Sequence, residues 1–368
     1  MERKKPKFRF PIMALGGLAL ILALWGGLFR LGWNLPVVTV NLPYSHGPLM
    51  VSGFLGTLIS IELAVALKYK WAYVVPILSG IGALALIVGV PSLFGKMLMT
   101  LSSTGLVFLL VVILYPHPSL HAIIMMLGAF CWLVGNGLWL LGFPFYIVAL
   151  SWIGFLMLTI AGERLEISRV LQISKEKKLV FIFVVFVFII GVLLAIKVFD
   201  IGVRVASIGM IALALWLLRN DIARRELHQR GLSRYIALSL ILGYVWLGVS
   251  GLFGLFFGGV SSGFYYDAIL HSVFVGFVFS MIFAHAPIIF PTLMGLPTFL
   301  PFQSSFYVHL ALLHLSLALR IIGDLAAWPL GRQWGALFNA IAILLFLGNI
   351  MYLNRKVKRT ITQSSSIK

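Results

Sequence analysis

Six histidines, His46, His121, His271, His285, His309 and His314, fall within or at the ends of long apolar stretches, together with Glu62, Arg320 and Asp324. An ionisable group in hydrocarbon costs free energy, so such residues are retained where they do something. An imidazole there can ligate a metal, carry a proton, or bond a neighbouring helix. A lone intramembrane histidine is often only such a bond, so the weight rests on the set. His117 and His228 lie in loops.

Spacing divides the set. His271 and His285 are 14 residues apart, nearly on one helix face but about 21 Å apart along the axis, so they serve separate sites. His309 and His314 are about 140° apart around a helix and do not easily share one ion. Glu62 has no charged neighbour before Lys68. A carboxylate so placed suits a proton relay, with His121 as a second relay candidate. The plainer reading of Glu62 is an interfacial residue paired with a Lys or Arg.

The elements that must position these groups are membrane helices. The chain of 368 residues is 61% hydrophobic and only 10% charged, where a soluble domain carries about a quarter charged residues. Apolar runs predict twelve spans, at 10–32, 45–67, 71–90, 95–115, 119–142, 144–163, 179–199, 202–218, 234–257, 264–290, 303–324 and 332–353. The basic segment "MERKKPKFRF" precedes a first span that is too long for a signal peptide and lacks a clear cleavage site. With an inside N-terminus and twelve alternating spans, 22 of the 28 Lys and Arg fall inside. That bias predicts both termini in the cytoplasm and a multi-pass protein of the inner membrane. The net charge of +18 is then a topology signal rather than a nucleic-acid footprint. The predicted organisation is a basic N-terminus (1–9), a twelve-helix domain (10–353) and a basic tail (354–368). The single cysteine, Cys131, excludes an intramolecular disulfide and a cysteine metal cluster.

Depth then groups the candidates. His46 opens the second span near its outer end, and His271 lies about two turns into the tenth. Paired imidazoles of this kind can hold a haem iron axially or share a copper ion. Arg320 and Asp324 are i,i+4 and can form an ion pair. Arg320 and Arg332 are the arginines available to haem propionates. His285, His309 and His314 lie deeper and are candidates for a second haem or copper site. "HGPLMVSGF", "HAIIMMLGAF" and "HSVFVGF", opening spans 2, 5 and 10, form a faint repeat.

Twelve spans with a histidine at the outer end of span 2 and another in the outer half of span 10 resemble the core subunit of haem–copper oxidases. The resemblance implies a haem–copper-oxidase-like bundle with His46 and His271 as axial ligands of a low-spin haem. The family's copper histidines on spans 6 and 7 have no counterpart here, nor has its His-x-His on span 10. "SHGPLMVSGFLG", "HSVFVGFVFSMIFAHAPI" and "LALRIIGDL" are similar to segments of the NnrS family, which implies haem, copper and a link to nitric oxide.

The leading expectation is a haem-binding, redox or nitric-oxide-related membrane protein, with a small gas or an electron donor as partner and enzymatic activity left open. The alternative is a proton-coupled secondary transporter using its intramembrane histidines, although no repeat of the halves is apparent. A third is an assembly factor whose histidines are structural.

Overall fold

The computed structural model describes residues 9–90, 92–116, 118–295 and 299–366. His117, residues 1–8 of the basic N-terminus and the last two residues of the tail lie outside them. Among the described residues there are helices and no strands. Without water, each peptide group must be satisfied inside its own segment, which long apolar runs achieve as helices.

Among the described residues, twelve helices are long and apolar enough to cross a membrane. They are α1 (Arg9–Arg30), α2 (Pro43–Leu67), α3 (Lys70–Val88), α4 (Leu93–Leu114), α5 (Leu120–Leu140), α6 (Phe145–Leu171), α7 (Lys175–Ala195), α8 (Phe199–Asn220), α9 (Leu232–Phe257), α10 (Gly263–Leu293), α11 (Ser305–Leu325) and α12 (Pro329–Arg359). The break between spans 7 and 8 falls at 196–198, slightly earlier than the hydropathy ranges 179–199 and 202–218 place it. Close packing explains the shift: a Cβ on Gly202 would strike the backbone of Ala195, so the two helices fold back against each other over small residues. The last helix runs on to Ser366, beyond the predicted end of its span.

The helices form two compact units, one ending at Glu166 and the other beginning at Ile167. In the first unit α2 packs on α1 and α3, and α6 is buried along nearly its whole length. In the second unit α7 and α8 form a hairpin, α9 packs on α8 and α10, and α11 pairs with α12.

Each unit holds one span with a π-helical stretch, Leu49–Gly56 in α2 and Ser272–Phe279 in α10. A π stretch inserts an extra residue per turn and displaces carbonyls from the regular ladder. Neighbouring hydroxyls meet several of them. Ser79 donates to Ser52 O at 2.5 Å, Ser250 to Ile269 O at 2.8 Å and Ser280 to Gly276 O at 2.5 Å. Farther along α10, Pro291 has no N–H to offer Pro287 O, and the amide of Leu300 takes that carbonyl at 3.0 Å.

Candidate functional site

Both π stretches are led by a histidine: His46 three residues before the first and His271 immediately before the second. His121, third in the sequence repeat, opens an ordinary α-helix. The repeat is therefore structural for α2 and α10 and does not extend to α5.

The His46 ring lies against α1. Its Nδ1 is 2.7 Å from Ala23 O. A Cβ on Gly27, one turn from Ala23, would stand 2.8 Å from both Cε1 and Nδ1 of the ring. Gly27 thus leaves the space in which the imidazole sits. A carbonyl only accepts, so Nδ1 must carry the proton, and the neutral ring has its lone pair on Nε2. That is the tautomer a metal-ligating histidine adopts when its other nitrogen is anchored.

His271 is anchored within α10. Its Nδ1 lies 3.0 Å from Asp267 O and 3.3 Å from Asp267 Oδ1. The Asp267 carboxylate is in turn gripped by two arginines. Arg320 of α11 closes on it with both arms of its fork, Nε to Oδ2 at 2.8 Å and Nη2 to Oδ1 at 2.9 Å. Arg332 of α12 adds Nη2 to Oδ1 at 3.1 Å and places Nε 3.1 Å from Asp324 Oδ1. Arg332 also lies over the ring of Phe264, 5.2 Å from its centroid. Asp267, Arg320 and Asp324 are buried.

This arrangement corrects the i,i+4 expectation. Arg320 directs its fork to Asp267, 53 residues away in sequence, while Asp324 meets Arg332. The reason is geometric: a bidentate Arg–carboxylate fork outcompetes a single helix-surface pair. Both arginines expected to reach propionates are bound by carboxylates of the chain itself.

The deeper histidines have different surroundings. The Nδ1 of His285 lies 2.7 Å from Met281 O, the carbonyl one turn earlier in its own helix. His309 Nε2 meets Tyr235 Oη at 3.2 Å, and its ring stands edge-on to Phe283 and Phe346 at 5.0 and 5.2 Å. His314 accepts from Trp246 Nε1 at 2.9 Å through Nδ1, so its Nε2 carries the proton and faces Ser280 Oγ at 3.5 Å. Among the described residues no three His, Cys, Asp or Glu side chains are grouped to hold a metal ion. His285, His309 and His314 thus turn to separate neighbours and are not gathered as a three-residue ligand set. Aromatic packing and indole bonding hold two of them in structural roles.

In the first unit, His121 Nδ1 lies 2.8 Å from Glu166 Oε2. Glu62 of α2 lies within electrostatic reach of Glu163 of α6, one turn before Glu166. The centre of the unit is a buried polar hub. Asn136 Oδ1 accepts from Ser52 and from Trp152, both at 3.0 Å, and Asn136 Nδ2 donates to Met99 O at 3.1 Å. Trp132 donates to Ser52 at 2.9 Å. The hub ties α2, α4, α5 and α6 together.

Asp267, Asn136, Glu163 and Gly27 are absent from the candidates picked out by sequence. Asp267 had a readable signal, its i,i+4 spacing to His271. Gly27 had none, because only folding brings α1 against His46.

These helices and buried polar groups define an all-helical protein with twelve helices long and apolar enough to cross a membrane. The chain belongs to a family described as a domain of unknown function, DUF8744, whose model matches residues 9–355. No curated protein and no solved structure matches it.

Proposed function

We propose that the protein is a haem-binding, multi-pass membrane protein of NnrS-like type, redox or nitric-oxide related, with His46 and His271 as iron ligands. The observation that carries this reading is the tautomer of His46. Its Nδ1 is fixed as a donor by a carbonyl of another helix, which makes Nε2 the basic nitrogen. His271 has the same polarity, with a carboxylate behind it. His46 stands three residues before one π stretch and His271 immediately before the other, and such stretches are frequent at functional sites. The bias of 22 of 28 basic residues toward alternate loops supports cytoplasmic termini and an inner-membrane location.

When bound, haem would supply electron transfer or gas coordination. The chain's own part is to present imidazole Nε2 atoms in an apolar setting and to fix each ring through Nδ1. Arg320 and Arg332 serve Asp267 and Asp324 rather than propionates in this reading.

A second reading rests on buried carboxylates, of which sequence analysis singled out Glu62 and Asp324 but not Glu163 or Asp267. Glu62 and Glu163 approach each other in the first unit, and Asp267 and Asp324 lie buried in the second. Such groups suit a proton-coupled transporter.

A reduced-minus-oxidised visible spectrum of protein purified from haem-replete cells, with metal analysis of the same sample, separates the two. A sharp low-spin band, lost in His46→Ala and in His271→Ala, is the expected result. A colourless, metal-free protein would overturn the haem reading and leave proton-coupled transport, tested by pH-gradient-driven uptake in vesicles with Glu62→Gln and Glu163→Gln.

A further inference from the structure

We propose that Asp267 is a positioning residue for His271: its backbone carbonyl accepts the Nδ1–H at 3.0 Å, and its carboxylate, clamped by Arg320 and Arg332, stands 3.3 Å from Nδ1 and holds Nε2 as the ligating atom. This inference rests on the haem reading above and adds the group that sets the character of one ligand.

The geometry separates Asp267 from an ordinary buried ion pair. A buried salt bridge is weak as a stabilising device, since well-packed apolar residues usually do as well or better. What apolar residues cannot supply is an oriented anionic acceptor beside an imidazole. Asp267 Oδ1 is 3.3 Å from His271 Nδ1, while both oxygens are held by the Arg320 fork. Arg320 is on α11 and Arg332 on α12, so three helices fix one carboxylate. With both oxygens held, the carboxylate cannot rotate away from the ring.

His285 provides an internal comparison. Its Nδ1 makes the same bond to the carbonyl four residues earlier, Met281 O, at 2.7 Å. That local bond fixes a tautomer without an aspartate. The added carboxylate at His271 therefore does something the backbone does not: it draws on the Nδ1 proton and makes Nε2 a stronger donor to a metal. Asp324 offers a second comparison. It shares Arg332 with Asp267 but is not the carboxylate beside His271.

The test uses full-length protein from haem-replete cells, as wild type, Asp267→Asn, Asp324→Asn and the double variant Asp267→Asn/Arg320→Gln. The readouts are haem per polypeptide, midpoint potential and the ferric low-spin paramagnetic resonance spectrum. A weaker donor favours ferrous over ferric iron, so Asp267→Asn is expected to raise the midpoint potential and shift the resonance. Asp324→Asn is expected to leave both near wild type. If Asp267→Asn does not accumulate because an arginine is left unpaired, the double variant carries the test. It removes one charge of each sign, and a raised potential is again expected. Unaltered potentials in the Asp267 variants, or equal shifts in Asp267→Asn and Asp324→Asn, would overturn the positioning role while leaving haem binding intact. A haem-free wild type would overturn the haem reading and this role together.

Discussion

The guanidinium of Arg320 closes on both oxygens of Asp267, at 2.8 and 2.9 Å, across 53 residues of sequence. The pair joins α10 to α11, and Arg332 extends it to α12. The histidine proposed as an iron ligand stands beside it, with Nδ1 3.3 Å from Asp267 Oδ1.

Breaking that pair from one side leaves a buried charge. Asp267→Ala is expected to destabilise the protein by about 3–5 kcal/mol, the range for an uncompensated buried ion. Asp267→Leu/Arg320→Met removes both partners and should recover much of the loss. Thermal unfolding of the detergent-solubilised variants measures this. Equal losses in the single and double variants would show that the pair is not acting as a unit.

His46 depends on space left by α1. A Cβ at Gly27 would stand 2.8 Å from the ring, inside van der Waals contact. Gly27→Val is expected to displace the imidazole and lower haem content while the helices still form. Haem per polypeptide and circular dichroism on one sample check it. Full haem retention would mean that His46 is not held where the structure places it.

His309 and His314 are engaged by Tyr235, Trp246 and aromatic rings rather than grouped as ligands. His314→Ala should lower the melting temperature, through loss of a bond worth about 1 kcal/mol and a cavity. It should leave a low-spin haem band unchanged, as should His285→Ala. Disappearance of the band in either would assign that imidazole to the iron.

Asn136 bonds three partners at the centre of the first unit. Interhelical hydrogen bonds in membranes average about 0.6 kcal/mol each. Asn136→Ala is therefore expected to cost about 2 kcal/mol once its own lost bonds are summed. A denaturant titration with fluorescence detection reads the loss, since Trp132 and Trp152 are both in the hub.

Gly276 lies under Trp246: a Cβ there would fall 2.5 Å from Cβ and Cγ of the indole. Gly276→Ala should push the ring off His314 and cost about 1–3 kcal/mol by overpacking. A shift in tryptophan emission with a lower melting temperature is the expected signature.

Much of this protein was legible from residue types alone. Long apolar runs forced helices, because a backbone in hydrocarbon must satisfy itself within its own segment. Their number agreed with the alternation of basic loops. His46 and His271 could be singled out because few polar groups interrupt those runs. The partner of Arg320 was misread, because i,i+4 spacing says which residues share a helix face and not which face meets another helix. Depth along a span has the same limit for His285, His309 and His314. All three lie deep in apolar sequence, yet their rings turn to different neighbours.

By itself, then, the sequence determined that the chain is helical, how many membrane-length segments it has, and which few ionisable residues fall within them. These properties follow from local composition and period. Tertiary structure alone decided that Ala23 and Gly27 hold His46, that Asp267 and not Asp324 receives Arg320, and that Asn136 gathers Ser52 and Trp152. Each of these links residues on different helices, and their meeting depends on helix rotation and packing, which no local pattern encodes.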